Sequence, residues 1–294
     1  MSASTLVGTL PNFLVIGAMR AGSTSLHKAL SDHPEIFMSQ PKELHFFVEE
    51  RNWDRGLQWY VHQFVKAADV PARGEASVTY TQFPQLAGVA QRAASVLPTA
   101  RLIYVVRDPI ARMRSQYEHD VRRALAGTAP TGWTRIAEYG SAERALVGQD
   151  KYLDASRYAM QLDQWLKHYS PDNILVLTSE WLWSAPRAAM REVFEFLGVD
   201  ATFEPEEQLE QMNEAARLRR RSPFAKYPAI KGLASKVPPS VKTRLRPREV
   251  AVPDLQHLLK ISDDLDFQLR ERIRDDVRRL RPYVRGPFDG WGIA

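Results

Sequence analysis

The stretch FLVIGAMRAGSTSLHKAL, from Phe13 to Leu30, constrains the fold more than any other part of the chain. Its apolar run, Phe13 to Ile16, predicts a buried strand, and Gly17, Ala21 and Gly22 predict a tight turn into a helix that begins near Ser23. Phosphate-binding loops are built in this way, because the turn presents backbone N–H groups and the helix start adds the positive end of its dipole. A Walker A loop, GxxxxGK[ST], has lysine directly after its second glycine. Here Ser23 and Thr24 follow Gly22, and the one cation, Arg20, stands in front of it. Arg20, Ser23 and Thr24 can therefore add side-chain donors to the turn, but the charge that bridges the outer phosphates of a nucleoside triphosphate is missing. A plain strand-to-helix connection would use the same glycines, so the loop gains meaning only from what stands elsewhere.

The rest of the chain supplies an α/β pattern. PEIFMS (Pro34 to Ser39), RGEASVTY (Arg73 to Tyr80), RLIYVVRD (Arg101 to Asp108) and NILVLTSEWL (Asn173 to Leu182) read as strands or strand ends. Between them, GLQWYVHQFV, FPQLAGVAQRAASVL, the segment that Pro109 opens, SRYAMQLDQWLKHY and PRAAMREVFEFLG read as helices, the last stopped by Gly198. A final helical stretch, FQLRERIRDDVRRLRPYV, precedes an aromatic tail at Trp291. Alternating strands and helices predict a parallel sheet covered on both faces, with ligands outside the carboxyl ends of the strands. That rim would carry the opening loop, KELHFF, GEAS and RDPIARMRS.

At 294 residues, 44% hydrophobic and 26% charged, the chain is long enough for one large α/β core. A single domain over residues 1–294 is expected, with a flexible start at 1–11. The absence of cysteine excludes disulfides, thiolate catalysis and cysteine-ligated metals. No signal-peptide pattern and no apolar run of membrane-spanning length is present, which predicts a soluble, cytoplasmic protein. The net charge of +5 is uneven. Residues 217–248 hold Arg217, Arg219, Arg220, Arg221, Lys226, Lys231, Lys236, Lys242, Arg244, Arg246 and Arg248 without an acidic residue, and five prolines interrupt them. A basic flap or loop is expected there, either a solvated surface or an anion contact.

Two further constellations belong to the rim. Arg107 ends the clearest buried strand, and Ser115 follows eight residues later in the next helix, so the pair can grip a second phosphate. A strand-end ion pair between Arg107 and Asp108 is the plainer alternative. In KELHFF, an extended backbone would put Glu43 and His45 on one side and Lys42 and Leu44 on the other. Glu43 is placed to take a proton from an alcohol, and His45 to do so itself or to hold Glu43. A surface salt bridge beside buried Phe46 and Phe47 would explain the hexapeptide alone.

Taken together and in this order, GAMRAGSTSL, PKELHFF, GEASVTY and RDPIARMRSQY resemble the sulfotransferases that use 3′-phosphoadenosine 5′-phosphosulfate. The similarity is greatest to the branch of heparan sulfate glucosaminyl sulfotransferases and bacterial carbohydrate or natural-product sulfotransferases. The resemblance spans nearly the whole chain and implies a P-loop-like three-layer sandwich with a central parallel sheet. It further implies a 5′-phosphosulfate loop at Arg20, Ala21, Gly22, Ser23, Thr24 and Ser25, a 3′-phosphate grip at Arg107 and Ser115, and a catalytic glutamate at Glu43 with Lys42 and His45 beside it. Sulfuryl transfer to an acceptor hydroxyl, without a metal, is the implied reaction. The implied partner is a small-molecule or carbohydrate acceptor rather than nucleic acid. Many members have lysine where Arg20 stands, and the basic segment matches no acceptor motif. The competing readings are a P-loop kinase of a small hydroxyl substrate, which would need the Walker lysine and magnesium, and an anion-binding protein centred on 217–248.

Overall fold

The computed structural model describes residues 8–67, 69–125, 141–205 and 260–294. The expected basic flap at 217–248 and the loop expected at Gly127 to Trp133 lie outside the described residues. Six strands form one sheet: β1 (Phe13–Gly17), β2 (Ile36–Met38), β3 (Ala72–Ala76), β4 (Arg101–Val106), β5 (Ile174–Thr178) and β6 (Val284–Arg285). Their spatial order is β2-β3-β1-β4-β5-β6, and every neighbouring pair is parallel. Each residue of β1 is buried, as a strand covered on both faces requires, and Phe13 is in register with Gly74 on one side and Arg101 on the other.

Helices α1 (Ser23–Ser31), α2 (Gly56–His62), α3 (Val89–Val96), α4 (Pro109–Leu125), α5 (Ala142–Gly148), α6 (Asp150–Asp154), α7 (Tyr158–Leu166), α8 (Ser179–Ser184), α9 (Pro186–Leu197) and α10 (Asp263–Leu280) flank the sheet. The main core packs the strands against Leu26 and Leu30 of α1, Leu162 and Trp165 of α7, and Val193 and Phe194 of α9. A second core joins α4, α5, α6 and α10 through Met113, Tyr117, Leu146, Leu153, Leu269 and Ile273. The central parallel sheet expected from the sequence is therefore present, and the differences are local. The helix predicted from Phe83 begins only at Val89, because Pro84 and Gly88, at φ 73°, hold the preceding residues out of helical geometry. The last helix ends at Leu280, before Pro282, and Val284–Arg285 pair with β5 as a strand that the sequence reading missed. Among the described residues no helix is long and apolar enough to cross a membrane.

The order of connections positions the site. The chain leaves β1 toward β2, on one side of the sheet, and leaves β4 toward β5, on the other. A crevice opens outside the carboxyl ends of adjacent strands whose connections diverge in this way. The loop after β1 and the residues after β4 border it.

Candidate active site

The loop after β1 is fixed from behind. Gly17 has no room for a side chain, since a Cβ there would lie 2.1 Å from Thr81 Oγ1. Gly22 caps α1 at φ 99°, a left-handed conformation that glycine adopts without strain. Carbonyls at the end of β1 and in the loop are tied down: Thr81 Oγ1 donates to Ile16 O at 3.2 Å, Arg107 Nη1 to Arg20 O at 3.3 Å, and Ser179 Oγ to Ala21 O. In a trans peptide the C=O and the following N–H point opposite ways, so holding the Ala21 carbonyl fixes the direction of the Gly22 N–H. Helix α1 begins there with no acidic residue in its first turn, leaving the positive end of its dipole uncompensated. Ser25 contributes less backbone than the sequence suggests, because its N–H already bonds Gly22 O at 3.1 Å. Ser23 is buried and Thr24 exposed.

The two phosphate grips expected from sequence meet. Arg20 Nε donates to Ser115 Oγ at 3.1 Å, across 95 positions of sequence. Arg107 reaches the carbonyl of the same Arg20, and its guanidinium lies 5.5 Å from the Trp183 ring centroid. Trp183 also comes within 3.4 Å of the position a Gly22 Cβ would take, so one indole stands between both grips. The plainer reading of Arg107 as the partner of Asp108 does not describe this site. Asp108 instead accepts the N–H of Ala111 at 2.7 Å at the start of α4 and lies 3.8 Å from Arg270. Behind the loop, Arg112 is fully buried and donates to Ser156 Oγ, Gln116 Oε1 and Tyr152 O, each at 2.7 Å.

The KELHFF segment is not extended. Glu43 and His45 both have left-handed backbones, at φ 66° and 50°, with Leu44 buried between them. The two side chains still converge, with His45 Nδ1 3.9 Å from Glu43 Oε2. Lys42, expected on the opposite side, instead contacts Glu43 Oε1. Glu43 Oε2 accepts the N–H of Val78 at 2.9 Å, and His45 Nδ1 pairs with Thr79 Oγ1 at 2.8 Å. Burial, followed by the charge of Arg51, lowers the His45 pKa to about 4, so the ring is neutral at neutral pH. Four non-glycine residues among those described have positive φ, and Arg20, Glu43 and His45 are three of them. Such backbones cost about 1–3 kcal/mol each and persist only where the surroundings over-determine them.

Sequence reasoning missed two neighbours. Trp183 follows β5 and carries no motif. His119 stands one helical turn after Ser115, and its pKa is lowered by burial and then by the charge of Arg20. The i, i+4 spacing from Ser115 was a signal that could have found it.

The chain is similar to known proteins. A family model described as the sulfotransferase domain matches residues 10–232, more than half of the chain. The human bifunctional heparan sulfate N-deacetylase/N-sulfotransferase 3 is 31% identical over 200 residues, covering 65% of this chain and 22% of its own length. The corresponding protein 1 of Caenorhabditis elegans is 25% identical over 194 residues, covering 64% and 22%. The chain thus spans about a fifth of the length of these curated relatives. A sulfotransferase from Alicyclobacillus acidocaldarius has the same fold, with a TM-score of 0.66 at 23% identity over 97% of this chain and 99% of its own.

Proposed function

Because the chain belongs to the sulfotransferase-domain family, we propose that it transfers a sulfuryl group from 3′-phosphoadenosine 5′-phosphosulfate to a hydroxyl of a carbohydrate acceptor. The observation that carries this reading is the contact of Arg20 with Ser115 and of Arg107 with Arg20 O. It brings two anion grips from distant motifs together at one strand crevice. A donor with phosphates at both its 5′ and 3′ positions needs two such grips; a simple triphosphate needs only one. The residues fit the donor in chemistry as well. The Gly22 turn and the start of α1 supply N–H groups, and Arg20, Ser23 and Thr24 supply side-chain donors for the phosphosulfate. Arg107 and Ser115 serve the 3′-phosphate.

The donor supplies an activated sulfuryl group, whose bond to the 5′-phosphate breaks as the acceptor oxygen bonds to sulfur. Arg20 stabilises charge on the departing side, and the backbone N–H groups do so without reorganising. Glu43 takes the acceptor proton, with Lys42 and the Val78 N–H holding its carboxylate in place. With its pKa lowered to about 4, His45 is a weak base, and its Nδ1 is paired with Thr79 Oγ1; we assign it the role of orienting the segment. The carbohydrate acceptor follows from the relatives named for heparan sulfate; because their names specify N-sulfation, amino sugars belong beside hydroxyl acceptors in any assay.

The test incubates the protein with labelled donor and pools of oligosaccharides bearing hydroxyl or amino groups, and reads product mass. Sulfated product is expected, undiminished by a chelator, together with stabilisation by the bisphosphate product of the donor. Stabilisation by ATP and magnesium but not by the bisphosphate would favour the kinase reading.

A further inference from the structure

Glu75, at the end of β3, has no part in the chemistry above, yet it is fully buried and accepts three hydrogen bonds. Tyr60 Oη and Tyr80 Oη donate to its Oε1 at 2.9 and 2.7 Å, and Ser77 Oγ donates to its Oε2 at 2.7 Å. A hydroxyl has one proton, so each of these oxygens, having given it to Glu75, is left to act as an acceptor. Two of them are used in that way. Ser77 Oγ accepts the N–H of His45 at 3.0 Å, and Tyr80 Oη accepts the N–H of Phe47 at 3.4 Å. Both amides belong to the strained turn that carries Glu43. An ionised carboxylate only accepts, which fixes the direction of every bond in this relay; a protonated carboxyl or an amide puts a donor on one oxygen and frees a hydroxyl to turn.

We propose that Glu75 is a positioning residue for transfer: its carboxylate polarises Ser77 and Tyr80 so that they clamp the His45 and Phe47 amides and hold Glu43 toward the acceptor. This rests on the reading of Glu43 as the base. A buried carboxylate is a costly choice where a neutral side chain would fill the same space, and the relay supplies a reason for it. The groups facing it are Tyr60 from α2, Ser77 and Tyr80 from the turn after β3, and the charge of Glu43. Burial pushes the Glu75 pKa up to about 7; the bonds from Tyr80, Ser77 and Tyr60 oppose the rise, and the charge of Glu43 adds to it. The clamp therefore tightens as pH rises through neutrality.

The experiment compares Glu75→Gln and Ser77→Ala with the wild type by amide hydrogen exchange without ligands, and by kcat, donor KM and bisphosphate affinity. In Glu75→Gln, exchange at His45 and Phe47 should quicken about tenfold, and kcat should fall about tenfold with donor KM and bisphosphate affinity within about twofold. The rise of wild-type kcat through about pH 7 should disappear. Ser77→Ala, which cuts only one arm, should quicken exchange at His45 and leave Phe47 protected; it decides the matter if Glu75→Gln does not fold. Unchanged exchange at both amides in these variants, or a kcat loss matched by an equal loss of bisphosphate affinity, overturns the proposal. Because exchange is read without donor or acceptor, a wild type that transfers no sulfuryl group refutes the proposed reaction separately, and leaves the clamp itself to the exchange result.

Discussion

Between Gly17 and Thr24 the chain offers the proposed donor mainly its own backbone, whereas between Lys42 and Phe47 it presents side chains whose aim is set by β3 and the turn that follows it. The first region is local: a strand, a glycine-capped turn and a helix start within a dozen residues form the proposed anion site, and side chains of Arg107, Ser179 and Thr81 hold its carbonyls. The second is borrowed. Glu43, His45 and Phe47 each rely on a partner more than 30 positions away, in Val78, Ser77 or Tyr80. The difference teaches where each kind of damage should appear: changes at the 3′-phosphate grip should alter affinity, and changes at the base or at Arg20 should alter rate.

The sharpest break of that contrast is Glu43→Gln. The amide keeps the shape and most of the hydrogen bonding but takes no proton, so kcat should fall by about 100-fold or more with bisphosphate affinity unchanged. Near-normal turnover in a folded Glu43→Gln protein would reduce Glu43 to a structural partner of Lys42. Next in size is Arg107→Ala. A lost charge-assisted contact of this kind costs about 1.5–3 kcal/mol, and the loss should fall mostly on ligands that carry the 3′-phosphate. Equal weakening of ligands with and without that phosphate would remove Arg107 from the 3′ grip. Arg20→Ala should lower turnover more than bisphosphate affinity, since the charge that Arg20 is proposed to offset develops only as the sulfuryl group leaves the 5′-phosphate.

The same contrast explains what could be read from the sequence. The strand, turn and helix start were legible because their cause is local: apolar run, glycines and helix start are adjacent, and parallel topology then brings Arg107 and Ser115 to the same rim. Glu43, His45 and Lys42 were legible as residue types, but not as geometry. Alternation along an extended chain put Lys42 across from Glu43, whereas the left-handed residues at 43 and 45 bring the two together. Nothing near in sequence announces those turns, because they are imposed by Ser77, Val78 and Tyr80 from beyond β3. Trp183 and Glu75 escaped for a related reason: one is a tryptophan without a motif, the other a carboxylate whose importance depends on which hydroxyls fold against it.

A smaller effect probes the local half. Gly17→Ala forces a methyl group against Thr81 Oγ1 and the Tyr104 ring, an overpacking that typically costs about 1–3 kcal/mol. Thermal unfolding should show the loss, and the bisphosphate should recover part of it through binding. If Gly17→Ala unfolds at the wild-type temperature, the loop is softer than its packing indicates.

His45→Asn should have the smallest effect on rate, and it separates the two candidate bases. With a pKa of about 4 the ring is neutral and a weak base through the neutral range, and its Nδ1 is occupied by Thr79. The asparagine amide can keep that bond, so kcat should drop by less than about tenfold, far below the loss typical for removing a general base. Stability carries the complementary signal. An unfolded histidine takes up its proton near 6.5 and the folded one only near 4, so His45 makes the protein less stable as pH falls across that interval. Glu75 acts in the opposite sense: its folded pKa of about 7 lies above the ordinary 4.5, so stability from its neutral form is present at acid pH and is lost as pH rises from 4.5 through 7. The slopes from these two groups oppose each other between 4.5 and 6.5. Removing His45 removes its slope alone, so on acidification from 6.5 to 4.5 the melting temperature of His45→Asn should rise relative to that of the wild type. Parallel curves for the two proteins would mean that His45 does not titrate as its packing requires.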